Sequence, residues 1–149
     1  MSCCLRRINS IPDIPVSPAL DYDSEAGIRL KSLLRGLDDN FIVFEEILQD
    51  QKQYALLTGF CIKCYCHEHL QFISEFMQWR GDQTELGAKW LLNNYICSAA
   101  EQAINVEGGC YERISELLGN YQTNKVRVFD ELEKCFNSAA TTLRQNYKP

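Results

Sequence analysis

The segment Gly59–His69, GFCIKCYCHEH, holds the side chains of this chain best suited to chemistry: Cys61, Cys64, Cys66 and both histidines, His67 and His69. Thiolate and imidazole are zinc ligands, and a structural zinc site takes four of them, usually from two separated pairs. Cys61 and Cys64 make one C-x-x-C, but no second pair follows: Cys97, Cys110 and Cys135 stand singly. On a helix, Cys61 and Cys64 share a stripe with Leu57 and Phe60, where a thiol packs as a small hydrophobe. A thioredoxin-like redox motif would need a preceding strand and a βαβ context. The segment therefore reads as thiols on a buried helix face ending at Cys64 and Tyr65, a polar junction over Cys66–His69, and a new buried helix. No metal and no cofactor is expected. Two readings of the junction stay open: plain solvated capping, or polar side chains displayed together to a partner.

The elements that must position this junction are helical almost throughout. Ser24 is placed to cap a first helix with Leu30, Leu33, Leu34 and Leu37 on its apolar stripe. Asp38, Asp39 and Asn40 break and recap the chain before Phe41, Phe44, Ile47 and Leu48. A third helix sets Tyr54, Leu57, Phe60, Cys61, Cys64 and Tyr65 on one side, and a fourth carries Leu70, Phe72, Ile73, Phe76 and Met77. Gly81 is expected to end the fourth. Ala88, Leu91, Leu92, Tyr95 and Ile96 mark a fifth. AAEQAINVEGG reads as a helix end plus a turn in which Gly108 and Gly109 are free to take positive φ. A short helix with Tyr111, Ile114 and Leu118 is expected to stop at Gly119, before a last helix bearing Phe129, Leu132, Phe136, Ala139, Ala140, Leu143 and Tyr147. The fold class is all-α, with an extended or disordered N-terminal tail over 1–23, where Pro12, Pro15 and Pro18 block helix. A single helical domain follows over 24–149.

Bulk properties exclude several functions. At 149 residues the chain holds one core, and a net charge of −5 argues against a general nucleic-acid binder. No run approaches the roughly 18 apolar residues of a membrane span, and the start, MSCCLRRINSIPDIP, lacks the apolar core of a secretory signal. Eight cysteines fall below the density of a disulfide-built scaffold and are read as reduced thiols, which points to the cytoplasm. No active site of the chain's own is apparent.

Three stretches, in order over residues 38–147, give the sequence a family resemblance. FEEILQD…YALLTGFCIKCYCHEHLQFISEFMQW resembles the first half of a domain of the RGS (regulator of G-protein signalling) family, in which an aromatic-rich helix leads through a Ser-Glu-Glu-Asn-like turn into Leu-x-Phe. AKWLLNNYICSAAEQAINVEGGCYERI resembles the family's middle, and FDELEKCFNSAATTLRQNY its long closing helix. The resemblance implies a bundle of about nine helices that binds the switch regions of a heterotrimeric Gα subunit and accelerates GTP hydrolysis. The domain would have no catalytic residue itself, because Gα supplies the arginine and the glutamine that orients water. Residue by residue, the implied Gα contacts are Cys66, Glu68 and His69 at the first turn, with Glu68 retained and His69 replacing an asparagine. Asn105 falls at the second turn. At the third segment, where active members carry Asp-Ser and an arginine, Thr142, Leu143 and Asn146 stand instead. That departure supports an alternative, an RGS-homology adaptor without GTPase-accelerating activity. A monomer is expected.

In the tail, Cys3 and Cys4 precede Arg6 and Arg7. Dual acylation with adjacent cations is one route to peripheral attachment at the inner face of the plasma membrane. Unmodified thiols are the other reading. Ser2 excludes N-myristoylation, which requires glycine.

Overall fold

The computed structural model describes residues 20–149, and over these it contains seven α-helices and no strand. They are α1 (Glu25–Arg35), α2 (Asn40–Gln49), α3 (Gln51–Lys63), α4 (His67–Asp82), α5 (Glu85–Leu91), α6 (Cys110–Leu118) and α7 (Tyr121–Asn146). A π-helical turn, Leu92–Ile96, continues α5. The all-α expectation holds; the count of about nine helices does not, because among the described residues the chain from Cys97 to Gly109 forms turns rather than further helix. Cys3 and Cys4, and with them the lipidation reading, lie outside the described residues. No helix among those described is long and apolar enough to cross a membrane.

Short polar side chains start the helices where local chemistry requires. Ser24, Asp39, Asp50 and Thr84 each accept hydrogen bonds from first-turn amides of α1, α2, α3 and α5. Their stops are less predictable. α1 ends at Arg35 and its chain leaves extended, so Leu37 is fully exposed rather than part of the stripe. α3 ends at Lys63, leaving Cys64 exposed and Tyr65 in the left-handed region at φ 56°, so neither joins the apolar face. α4 runs through Gly81 to Asp82 and turns at Gln83, whose carbonyl accepts from the Tyr121 hydroxyl. Of the two glycines before α6, only Gly109 uses a positive φ, 84°. Gly119 ends α6 in right-handed geometry.

α4 is the centre of the bundle and α7, about 39 Å long at 1.5 Å per residue, is its main partner. An aromatic stack joins them with α2: Phe41 on Phe136 (4.9 Å between centroids), Phe136 on Phe76 (4.9 Å), and Phe129 on both Phe76 and Trp79 (6.0 Å each). Later residues of α4 meet earlier ones of α7, so the two helices are antiparallel. The start of α4 and the end of α7 thus share one end of the molecule. There Phe60, near the end of α3, meets Tyr147 edge-on at 4.8 Å.

Arg144 fastens α7 to the α1–α2 connection. Its guanidinium donates to the carbonyls of Leu34 (3.1 Å), Gly36 and Asp38 (3.1 Å), and to Asn40 Oδ1 (2.6 Å). The planar five-donor fork suits four divergent acceptors as an ammonium does not. Arg144→Ala is expected to destabilise the domain by about 2–3 kcal/mol, because these acceptors lose a charged donor. Arg144→Lys should recover less than half of that loss, as read by urea denaturation.

Candidate functional site

The polar turn before α4 is built from both sides. Cys66 N–H donates to Cys61 O (2.9 Å), closing the α3 terminus, and His69 N–H donates to Cys66 O (3.1 Å), opening α4. Cys66 is the N-cap but offers no side-chain cap. Glu68 supplies the negative charge that a helix start favours. Its carboxylate lies 3.6 Å from His69 Nδ1 and 3.8 Å from His67 Nδ1. Cys66 and His69 are themselves buried, so the expected display of the whole turn reduces to Glu68, half-buried, beside His67. The reason is the helix start: α4 begins at His67, one turn earlier than a polar junction would allow, and rotates His69 into the core.

The second turn is tied to the first through two contacts. Phe72, one helical turn beyond Glu68, packs edge-on against Tyr95 (5.4 Å). The Tyr95 carbonyl then accepts from the N–H of Ile104 (2.8 Å), the residue before Asn105. Ile104 is buried and Asn105 exposed. Among the described residues no hydrogen bond holds the Asn105 amide. A turn asparagine that serves only its own backbone would bond it; this one does not.

Beyond Asn105 the turn is braced by ion pairs. Arg113 of α6 donates to Glu107 (2.6 Å) and to Glu131 of α7 (3.2 Å), and Lys134 reaches Glu131 from the other side (3.1 Å). Burial would raise the Glu131 carboxyl, but the hydrogen bonds from Lys134 and Arg113 outweigh it and hold it below the usual carboxylate range. Spacing alone gave no hint of this brace, because Glu107, Arg113 and Glu131 come from three separate segments. Val106 and Ser138 line the same depression, and Ser138 O accepts from Thr142 Oγ1 (3.1 Å). Thr142 is half-buried and Asn146, in the last turn of α7, is exposed. Leu143, between them, is fully buried.

Structure therefore divides the expected contact residues. Glu68, Asn105, Thr142 and Asn146 reach solvent, on segments linked through Phe72–Tyr95–Ile104 and through Phe60–Tyr147. Cys66 and His69 are buried in the same turn as Glu68. Among the described residues no group of three His, Cys, Asp or Glu side chains is gathered as for a metal ion.

A family model described as Regulator of G protein signaling domain matches residues 43–146. No curated protein and no solved structure matches the sequence.

Burial lowers the pKa of His69, with the Glu68 carboxylate at 3.6 Å and the Cys66 backbone opposing. The neutral ring is thus the folded form. Above the ordinary value of 6.5 the folded and unfolded chains agree in protonation, and no stability is lost. As pH falls below it the unfolded chain takes the proton first, and stability drops until the lowered folded value is passed. Melting temperature is expected to decline over that window, and His69→Leu to flatten the part of the decline that starts near 6.5.

Proposed function

Because the chain belongs to the regulator of G protein signaling family, we propose that it binds the switch regions of a heterotrimeric Gα subunit and accelerates GTP hydrolysis. The observation that carries this reading is Asn105: an exposed amide with no hydrogen-bond partner among the described residues, held on a braced turn. An amide both donates and accepts, so it can steady a hydroxyl or glutamine side chain on the switch segments. Gα already carries the arginine and the water-orienting glutamine. The domain then acts by favouring the switch arrangement of the transition state, which is differential binding rather than covalent chemistry. Glu68 is proposed to contact the same partner from the α4 start, with Thr142 and Asn146 completing the patch from α7. Cys66 and His69 act from below as supports for Glu68.

A second reading, an RGS-homology adaptor without acceleration, draws on the third segment. The arginine in that stretch, Arg144, is turned onto the α1–α2 carbonyls, and Leu143 is buried. Preference for the aluminium-fluoride state of Gα over its GDP state separates the two readings, since an adaptor has no reason to favour it.

Single-turnover GTP hydrolysis by Gα, with and without the full chain, tests the first. Asn105→Ala is expected to reduce the acceleration about tenfold or more, with the melting temperature unchanged. No acceleration by the wild-type chain at micromolar concentration, with binding retained, would leave the adaptor reading in its place. A collapse in melting temperature would make Asn105 a structural turn residue.

A further inference from the structure

Cys110 and Cys135 are 25 residues apart in sequence, yet their sulfurs meet at 3.2 Å where α6 packs on α7. What the sequence presents as isolated cysteines is a dithiol. Both residues are almost fully buried, but both line a depression of about 280 Å³ rimmed by Arg113, Glu131 and Lys134. A small oxidant therefore has a path to them.

Their surroundings are unequal. Cys110 is the first residue of α6, behind a glycine N-cap and with no side chain capping the helix. A helix start and a neighbouring arginine both favour thiolate. The contact with Cys135 holds the Cys110 thiol below its usual range, against burial and with help from Arg113. The same contact, with burial, pushes Cys135 far up. One sulfur is thus disposed to be the nucleophile and the other to stay a thiol.

We propose that Cys110 and Cys135 form a redox site at which peroxides produce an intramolecular disulfide between α6 and α7. The Cys110 thiolate attacks a peroxide oxygen, the O–O bond breaks, and the departing hydroxide is protonated to water, leaving a sulfenic acid. The Cys135 thiol then attacks that sulfur. Its S–O bond breaks, and the hydroxyl leaves as water with the Cys135 proton. With hydrogen peroxide, two thiols are oxidised and the peroxide is reduced to two waters. The sulfurs close from 3.2 Å to about 2.05 Å, and a dithiol reductant reverses the bond by exchange. This site stands whether or not the chain acts on Gα.

The full reduced chain, treated with hydrogen peroxide and then thiol-blocked, is digested without reductant and mapped by mass spectrometry. A Cys110–Cys135 linked peptide is expected as the dominant cross-link, lost again in dithiothreitol. In Cys135→Ser the sulfenic acid has no resolving thiol, so dimedone labelling of Cys110 should rise several-fold over wild type. The proposal is overturned by absence of the linked peptide, by cross-links spread over Cys61, Cys64, Cys66 and Cys97, or by dimedone labelling at Cys110 that Cys135→Ser leaves unchanged.

Discussion

A carboxylate buried to zero exposure governs this bundle. Glu75 sits on α4 between Phe72 and Phe76, and its two oxygens accept from Trp90 Nε1 and Tyr95 Oη, each at 2.8 Å. Burying such a group without donors costs several kcal/mol, so Trp90 and Tyr95 must both reach it. They are five residues apart. On an α-helix five residues advance about 500°, which would set them on faces about 140° apart. A π turn, bonded i to i+5, brings residues at that spacing onto one face. The π segment Leu92–Ile96, closed by Cys97 N–H to Leu92 O at 2.9 Å, therefore satisfies the acid.

That constraint passes directly to the exposed turn. Tyr95, fixed through its hydroxyl, uses its backbone carbonyl to hold Ile104 and its ring to meet Phe72. Asn105 thus inherits its position from a carboxylate in the core, while Glu107 and Arg113 fasten the far side of the turn to α7. A residue on a braced loop loses little further conformational entropy on meeting a partner, which is what preorganised recognition requires. The antiparallel pairing of α4 with α7 brings the start of α4, with Glu68, and the last turns of α7, with Thr142 and Asn146, to one end of the molecule.

Much of the fold was legible because helical periodicity and capping are local signals. Ser24, Asp39 and the Ala88–Leu91–Leu92–Tyr95–Ile96 stripe needed only neighbours within two turns. Helix ends were harder. Gly119 does stop α6, but Gly81 only looks like a stop: the chain turns left-handed at Gln83 instead, where the Tyr121 hydroxyl on the Gln83 carbonyl decides, and at Tyr65 it turns left-handed without a glycine. Glu75 was not singled out in the sequence, although an acid inside an apolar stripe is the local inconsistency that accompanies a buried polar network. Its donors were not visible, since they lie 15 and 20 residues away. The same distance problem hid the Cys110–Cys135 contact and the four acceptors of Arg144. Of the site, Asn105 was legible from its resemblance-based alignment, whereas the burial of His69 depends on where α4 starts, which a cap without a side-chain bond does not announce.

The proposed contact set has an unusual charge character that follows from this burial. Glu68 contributes one carboxylate, while Asn105, Thr142 and Asn146 are neutral, and the cation in the α7 segment is turned inward to hold α1 and α2. Long-range attraction scales with net charge and is screened within about 8 Å at physiological salt. A patch of amides and a hydroxyl gains little from it. Recognition through the proposed set would rest on hydrogen-bond geometry at short range, where one misplaced amide costs more than a distant charge could restore. Glu107, Arg113, Glu131 and Lys134 flank the Asn105 turn and supply the charge around it, so what the proposed set would add is hydrogen-bond geometry, kept by the rigidity that Tyr95 hands down from Glu75.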